Sequence, residues 1–396
     1  MRSLISQLII CALFVIETHQ LLPIWGVVTN CTIPNESEMG ECELPADCPA
    51  FQDINDVNSI GNVSRLSFVS QLQCSGLADG KICCPRRGSY ANPWISMTNI
   101  TKRVRNKPVS VSQRVGIRVE VPCGEPDYEV QVNSGEIAKI DDFPWMAMLI
   151  YEKAMNPVTP GCGGALISRT FVITAAHCLT GPIVHKKGAL KIVRVGEYDI
   201  HNDPDCVVEG QYADCTDGII DVKPKRIIVH PDYKADSVSQ HHDIGLIELD
   251  QPVEFTTFIR HICLPDKGSG KIATKFSVCG WGRTDFFSRG KGTNVPSPIK
   301  LKTSLPYFDH GKCSEIYQQQ RLQLINGQIC AGGRNARDTC SGDSGSPLMS
   351  FDTKKAAWIL YGLVSMGPQN CGTVGKPGIY TNVNEYVPWI KSNAHL

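Results

Sequence analysis

Three short strings carry side chains that could act together on a carbonyl group. They are Thr174-Ala175-Ala176-His177-Cys178, Asp243-Ile244-Gly245-Leu246, and Asp338-Thr339-Cys340-Ser341-Gly342-Asp343-Ser344-Gly345-Ser346-Pro347. A serine hydroxyl is a poor nucleophile at neutral pH. It needs a base to take its proton, and the base needs a partner that fixes its tautomer and stabilises the imidazolium. His177 supplies the base, Asp243 the orienting carboxylate and Ser344 the nucleophile. The oxyanion that follows attack needs donors already in place. Glycines around Ser344 permit a tight turn that aims the backbone N–H groups of Gly342 and Ser344 at one point. Each string alone has a plainer reading: a structural histidine beside a cysteine, a strand cap, a surface turn. All three together, in the order His, Asp, Ser, match one of the chain orders in which a nucleophilic triad recurs.

Groups this far apart in the chain need a large scaffold to meet. The chain has 396 residues, 42% hydrophobic and 20% charged, enough for two or three folding units with a sizeable core. Over residues 132–396, short apolar β-branched runs recur at 145–150, 171–174, 192–195, 227–229, 244–249 and 359–364. Gly, Pro, Asn and Asp separate them, which predicts antiparallel strands in a barrel or sandwich. A short helix is expected over 387–395.

The first third of the chain reads differently. Residues 1–26 open with Arg2 and a short apolar run, the pattern of a secretory signal. The chain holds 18 Cys, and those beyond Cys11 show no zinc-ligand spacing, so they predict a disulfide framework in an oxidising, extracellular compartment. Seventeen such cysteines leave one thiol over. Sequons begin at Asn30, Asn35, Asn62 and Asn99 and permit glycosylation there. Residues 31–84 hold Cys31, Cys42, Cys48, Cys74, Cys83 and Cys84 in a segment too short for much core. Fifteen connectivities are open, and spacing alone does not choose among them. Residues 85–131 read as a linker and activation segment, and its stretch 85–118 is basic (Arg86, Arg87, Lys102, Arg103, Arg105, Lys107, Arg114, Arg118) without an acidic residue. Either it is a solvated, protease-sensitive linker, or it docks on the acidic segment before it. Nothing in the net charge of zero suggests a protein built to sit on nucleic acid or an acidic membrane.

Residues 132–396 resemble the chymotrypsin/trypsin family of serine proteases. The resemblance rests on TAAHC around His177, DIGLIEL from Asp243, CSGDSGSP around Ser344, FPWMAML from Phe143, CGWG from Cys279 and PGIYTNV from Pro377. It implies two six-stranded antiparallel β-barrels, an all-β fold, with the active site between them. It also implies that Asp338 lies at the floor of the primary substrate pocket, where a carboxylate would select Arg or Lys. Gly367 and Gly378 would leave the pocket wall open, and Ser365-Met366-Gly367 would pair with the substrate backbone. The six-Cys segment and linker resemble the clip domain of arthropod clip-domain serine proteases. That likeness implies the pairs Cys31–Cys83, Cys42–Cys74, Cys48–Cys84, Cys162–Cys178, Cys206–Cys215, Cys313–Cys330, Cys340–Cys371 and Cys123–Cys263, with Cys279 left as the free thiol. Gly196-Glu197-Tyr198-Asp199 resembles the start of a family calcium loop, with Glu197 and Asp199 as oxygen ligands; an ordinary acidic loop is the alternative. No other cofactor is expected.

Such family members are zymogens of extracellular cascades, including melanisation and Toll activation. They are switched on by a cut whose new N-terminus pairs with the Asp beside the nucleophile, here Asp343. Alignment back from Phe143 places that terminus at Val132. Gln131 precedes it, and no Lys or Arg lies between Cys123 and Val132, so an activator of other than tryptic specificity is expected. The expected partners are a protein substrate with Arg or Lys at the cut, an upstream protease and serpin-type inhibitors. Two other readings stay open: a non-catalytic homologue that acts as a binding cofactor, and a venom or digestive hydrolase.

Overall fold

The computed structural model describes residues 30–32, 39–43, 82–84, 101–103, 121–125, 136–153, 159–209, 212–266, 273–284, 295–334, 339, 341–368 and 371–396, the first four segments as backbone only. The expected signal segment, the sequons' side chains, the six clip cysteine side chains, Gln131, Val132, Asp338 and Cys340 lie outside the described residues.

The chain divides into two compact units. The first comprises Met1–Asn55 and Gln71–Ala91. In it, β1 (Asn30–Thr32), β2 (Met39–Glu43) and β3 (Ile82–Cys84) form an antiparallel sheet in that order. The second unit holds everything else described. There β4 (Thr101–Arg103) runs parallel to one strand of a hairpin.

Two seven-stranded sheets form the bulk of the second unit. The elements of the second sheet begin with β5 (Glu136–Ile137), and the first sheet starts at β6 (Met146–Glu152). The first sheet continues with β7 (Thr159–Leu166), β8 (Phe171–Thr174) and β9 (Ala189–Val195). The hairpin of β10 (Cys206–Glu209) and β11 (Tyr212–Cys215) interrupts it; β11 is the partner of β4. Then come β12 (Ile220–Val222), β13 (Pro224–Val229) and β14 (Gly245–Leu249), giving the order β12-β9-β6-β7-β8-β14-β13.

The second sheet takes β15 (Lys275–Gly280), then, past the ribbon of β16 (Arg283–Thr284) and β17 (Val295–Pro296), β18 (Leu301–Phe308) and β19 (Gln328–Ala331). It ends with β20 (Pro347–Asp352), β21 (Ala357–Met366) and β22 (Gly378–Asn382). Its order is β15-β20-β21-β22-β19-β18-β5, and β15 also pairs with β18, so six strands close into a ring. The family resemblance implies six strands per barrel, and each sheet has six of four residues or more. The seventh is short in both cases, three-residue β12 and two-residue β5, and segments that short show no periodicity to read.

The two barrels share packed aromatic side chains. Phe143 meets Trp358 edge-on with ring centroids 5.0 Å apart, and Trp145 Nε1 donates to Met349 Sδ at 2.9 Å. The last helix, α3, runs Val383–Ala394 and follows α1 (Pro182–Lys187) and α2 (His310–Gln318). It starts four residues before the helix expected from the sequence. Val383, Tyr386, Val387, Ile390 and Ala394 are buried at helical spacing, so tertiary contact extends it past Pro388 toward its N-terminus. Each fully buried Val or Ile there contributes roughly 1.5–3 kcal/mol.

Disulfides join Cys123 to Cys263, Cys162 to Cys178, Cys206 to Cys215 and Cys313 to Cys330. Cys371 is disulfide-bonded as well. Among the described residues Cys279 is the free cysteine, and it is buried. No helix of the described residues is long and apolar enough to cross a membrane.

Candidate active site

His177 sits in a single 3-10 turn, Ala176–Cys178, just past β8 and next to the Cys162–Cys178 bridge. Asp243 lies just before β14, which is hydrogen-bonded to β8 with Gly245 opposite Thr174. That register brings the two residues together although 66 positions separate them. The contact is two-point. Asp243 Oδ2 lies 2.8 Å from His177 Nδ1, and Asp243 Oδ1 accepts from the His177 backbone N–H at 2.8 Å.

Further donors hold Asp243. Ser365 Oγ donates to Asp243 Oδ2 at 2.6 Å, and Thr381 Oγ1 donates to the Asp243 carbonyl at 2.6 Å. The family resemblance assigns Ser365 to the substrate's backbone; its side chain is committed to Asp243. The cause is a register shift between β21 and β22, where Val364 pairs with Tyr380 and Met366 with Ile379, leaving Ser365 unmatched. A bulge of this kind re-aims one side chain. Neither Ser365 nor Thr381 carries a sequence signal for this role, because the partners come from other strands.

Electrostatics follow from burial. The Asp243 side chain has no exposed surface, and the His177 ring keeps 21%. Burial alone would push the Asp243 carboxyl up, but the His177 charge and the hydrogen bonds hold it below the usual carboxylate range. Burial alone would lower His177, yet the charge and hydrogen bond of Asp243 raise it above its ordinary value. The pair therefore favours an imidazolium held against a carboxylate.

Ser344 and His177 line one cavity of about 530 Å³, together with Ser341, Gly342, Trp281 and Ser365. The backbone around Ser344 is pinned from the first barrel: Gly163 N–H donates to the Ser344 carbonyl at 2.8 Å. At Gly345, φ is +77°, and an added Cβ would stand 2.1 Å from Thr174 Oγ1 and 2.6 Å from the Gly163 carbonyl. Only glycine fits that approach. Gly342 also adopts a left-handed φ, +106°. The Asp343 carboxylate reaches the opposite way and accepts the Gly282 N–H at 2.9 Å. An added Cβ at Gly280 would come within 2.3 Å of it. Gly367 has open space around its Cα, and Gly378 opens buried strand β22.

The loop after β9 gathers acids. Glu197 accepts from Arg194 at 3.2 Å and from the Tyr198 amide, and Asp199 accepts from the His201 amide and the Asn202 side chain. Asp205, which sequence reasoning missed, joins them: its Oδ2 accepts the amides of Tyr198 and Asp199, while its buried Oδ1 has no hydrogen-bond partner. All three carboxylates are buried. Burial and its acidic neighbours push Asp205 up to about 7. Arg194 gives its two shorter bonds to Asp221, so it offsets this charge only in part. An oxygen-only donor set with surplus buried negative charge fits a hard cation.

Known proteins share this arrangement of domains. The family model "Trypsin" matches residues 132–390, and "Regulatory CLIP domain of proteinases" matches residues 31–84. The chain is 49% identical to CLIP domain-containing serine protease B8 of Anopheles gambiae, over 93% of this chain and 91% of that protein. It is 37% identical to serine protease ea of Drosophila melanogaster, over 92% and 90%. It is 35% identical to phenoloxidase-activating factor 1 of Holotrichia diomphalia, over 92% and 93%. Among solved structures, the Drosophila Grass clip serine protease of the Toll pathway superposes with a TM-score of 0.58 at 27% identity, covering 93% of this chain and 98% of that one. The chain belongs to the CLIP-domain serine proteases, in which a regulatory CLIP domain is joined to a trypsin-type protease domain.

Proposed function

We propose that the protein is a secreted zymogen of a serine endopeptidase that cuts after Arg or Lys in another extracellular protein, as one step of an immune protease cascade. The observation that carries this reading is the doubly hydrogen-bonded His177–Asp243 pair, facing the same cavity as Ser344. In the reaction, His177 takes the Ser344 proton as Ser344 Oγ bonds to the scissile carbonyl carbon. Asp243 holds the resulting imidazolium, and Ser365 holds Asp243. The backbone N–H groups of Gly342 and Ser344 receive the oxyanion. His177 then protonates the leaving amine, and water repeats the sequence to release the acyl group.

Asp338 at the pocket floor, with Gly367 and Gly378 in its walls, would favour a cationic side chain at the cut. Cleavage between Gln131 and Val132 would free an ammonium to pair with Asp343 and set the oxyanion turn. The Cys123–Cys263 bridge would then keep the N-terminal portion attached. Relatives named for phenoloxidase activation and for the Toll pathway support the cascade context. Glu197, Asp199 and Asp205 would hold a Ca²⁺ ion that steadies their loop, with no part in the chemistry.

One experiment tests the core of this reading. The chain is cut at the Gln131–Val132 bond, treated with a phosphonylating serine reagent, and profiled on a peptide library. Labelling at Ser344 and cleavage after Arg and Lys are expected. An unlabelled Ser344 in protein whose new N-terminus is verified as Val132 would refute it.

A further inference from the structure

Away from the nucleophile, on the far side of Asp243, two histidines and an aspartate converge. His230 follows β13, Asp232 lies two positions on, and His242 is the residue before Asp243. The His230 N–H donates to the Ile244 carbonyl at 3.1 Å, which brings the end of β13 beside the segment that carries His242. The two imidazole rings stack, 5.1 Å apart and 10° from parallel. One ligand atom from each of His230, Asp232 and His242 lies within 4.8 Å of the others.

The three side chains are supported differently. His230 is nearly enclosed, with 11% of its side chain exposed, packed between His242, Tyr386 and Trp389 of α3. Its Nδ1 takes only a long bond, 3.3 Å, from the Asp232 amide, and stands 4.0 Å from Asp232 Oδ2. His242 Nδ1 is 3.1 Å from the Tyr386 hydroxyl, an outer contact that orients the ring and leaves Nε2 free. Asp232 is 70% exposed and free to swing inward. His241 is not part of the group, since its Nε2 is engaged by the Gln323 carbonyl at 2.6 Å.

We infer that His230, Asp232 and His242 form a binding site for a divalent transition metal of the zinc type, and that its occupancy restrains the catalytic aspartate next door. Two imidazoles and one carboxylate are the mixed nitrogen and oxygen set that zinc prefers, unlike the all-oxygen sets of calcium and magnesium. Tetrahedral bonds of 2.0–2.2 Å place ligand atoms about 3.3 Å apart. The group needs to contract by roughly 1.5 Å, which takes a swing of Asp232 and a turn of the His242 ring out of its stack on His230, since the in-plane lone pairs of parallel rings do not converge. A water completes the fourth position on the exposed side.

The coupling to catalysis follows from the backbone. His242 has a φ of +56°, a left-handed conformation that a non-glycine residue keeps only under constraint. Its carbonyl accepts the Ile244 N–H at 2.8 Å, spanning Asp243. An ion drawing the His242 ring toward His230 therefore acts on the turn that aims the Asp243 carboxylate. Displacement of a catalytic group by about 1 Å lowers turnover by about 10²-fold.

The metal site stands apart from the endopeptidase reading, while the effect on turnover rests on it, so the experiment has two arms. In the first, the uncut full-length chain, freed of metal with chelator, is titrated with Zn²⁺ by calorimetry. The parent should bind one ion that Ca²⁺ and Mg²⁺ do not displace, and Asp232→Ala and His230→Gln should each weaken it about tenfold or more. Absence of saturable binding at millimolar Zn²⁺, or an Asp232→Ala protein that binds as tightly as the parent, overturns the site. In the second arm, the cleaved protein is assayed on a peptide amide. Zn²⁺ should slow turnover, with a half-point that shifts in Asp232→Ala by the same factor as binding. Binding without slowing overturns the coupling. A cleaved protein inactive with and without Zn²⁺ refutes the endopeptidase reading instead, and the first arm still decides the site.

Discussion

Exchange of Asp243 for Asn probes the catalytic reading at its weakest joint, because it removes charge while conserving shape. Asp243 Oδ1 accepts the His177 backbone N–H, a donor that cannot turn away. Asp243 Oδ2 accepts from Ser365 Oγ and meets His177 Nδ1. In the Asp243→Asn variant the new amide nitrogen must therefore take the place of Oδ2, since in the place of Oδ1 it would face a fixed donor. There the Ser365 hydroxyl can rotate and accept, but His177 can avoid a donor–donor contact only by giving up its Nδ1 proton. The proton moves to Nε2, the atom that should receive the Ser344 proton. Packing is preserved and the base is disabled. The expected loss in kcat is about 10⁴-fold, the magnitude known for this exchange in trypsin-type triads, or about 5.4 kcal/mol of transition-state stabilisation.

The assay is kcat and KM on an arginine amide, using protein cut at the Gln131–Val132 bond, with Tm as the control for folding. The pH profile adds a signed test. In the parent, burial lowers His177 but Asp243 more than reverses this, so the acid limb of kcat/KM should lie above the usual histidine value of about 6.5. Without the Asp243 charge only burial remains, and the limb of the residual activity should move to lower pH. A loss below about tenfold with an unmoved acid limb would refute the assignment of Asp243 as the group that fixes the His177 tautomer.

Two further outcomes concern the scaffold. Asp142 and Lys302 form a buried ion pair at 2.7 Å, with side chains 2% and 4% exposed, so Asp142→Ala strands a buried ammonium and should cost about 3–5 kcal/mol by urea denaturation; a cost under about 1 kcal/mol would show that water reaches Lys302. Cys279 is buried, and burial pushes its thiol up to about 12, so it should resist alkylation at mildly alkaline pH in the folded protein and react once denatured. Peptide mapping reads the label directly, and modification of Cys279 in the native state would contradict the burial.

The strings around His177, Asp243 and Ser344 are legible in the sequence because each is local: a few contiguous residues set the turn, the strand start and the glycine-rich bend. Strand runs such as 171–174 and 244–249 are legible for the same reason, since apolar patterning is a property of neighbours in sequence. What holds the site together is not local. Ser365 serves Asp243 because β21 and β22 slip by one residue, and Thr381 reaches the Asp243 carbonyl from 138 positions away. Asp205 joins Glu197 and Asp199 only after the loop folds back, and Lys302 finds Asp142 across 160 positions. Short strands such as β5 and β12 exist only because a neighbouring strand offers them hydrogen bonds. A chain specifies its turns and apolar faces by adjacency. Register, bulges and the pairing of buried polar groups are chosen by which distant segments pack together, and that choice exists only in the folded molecule.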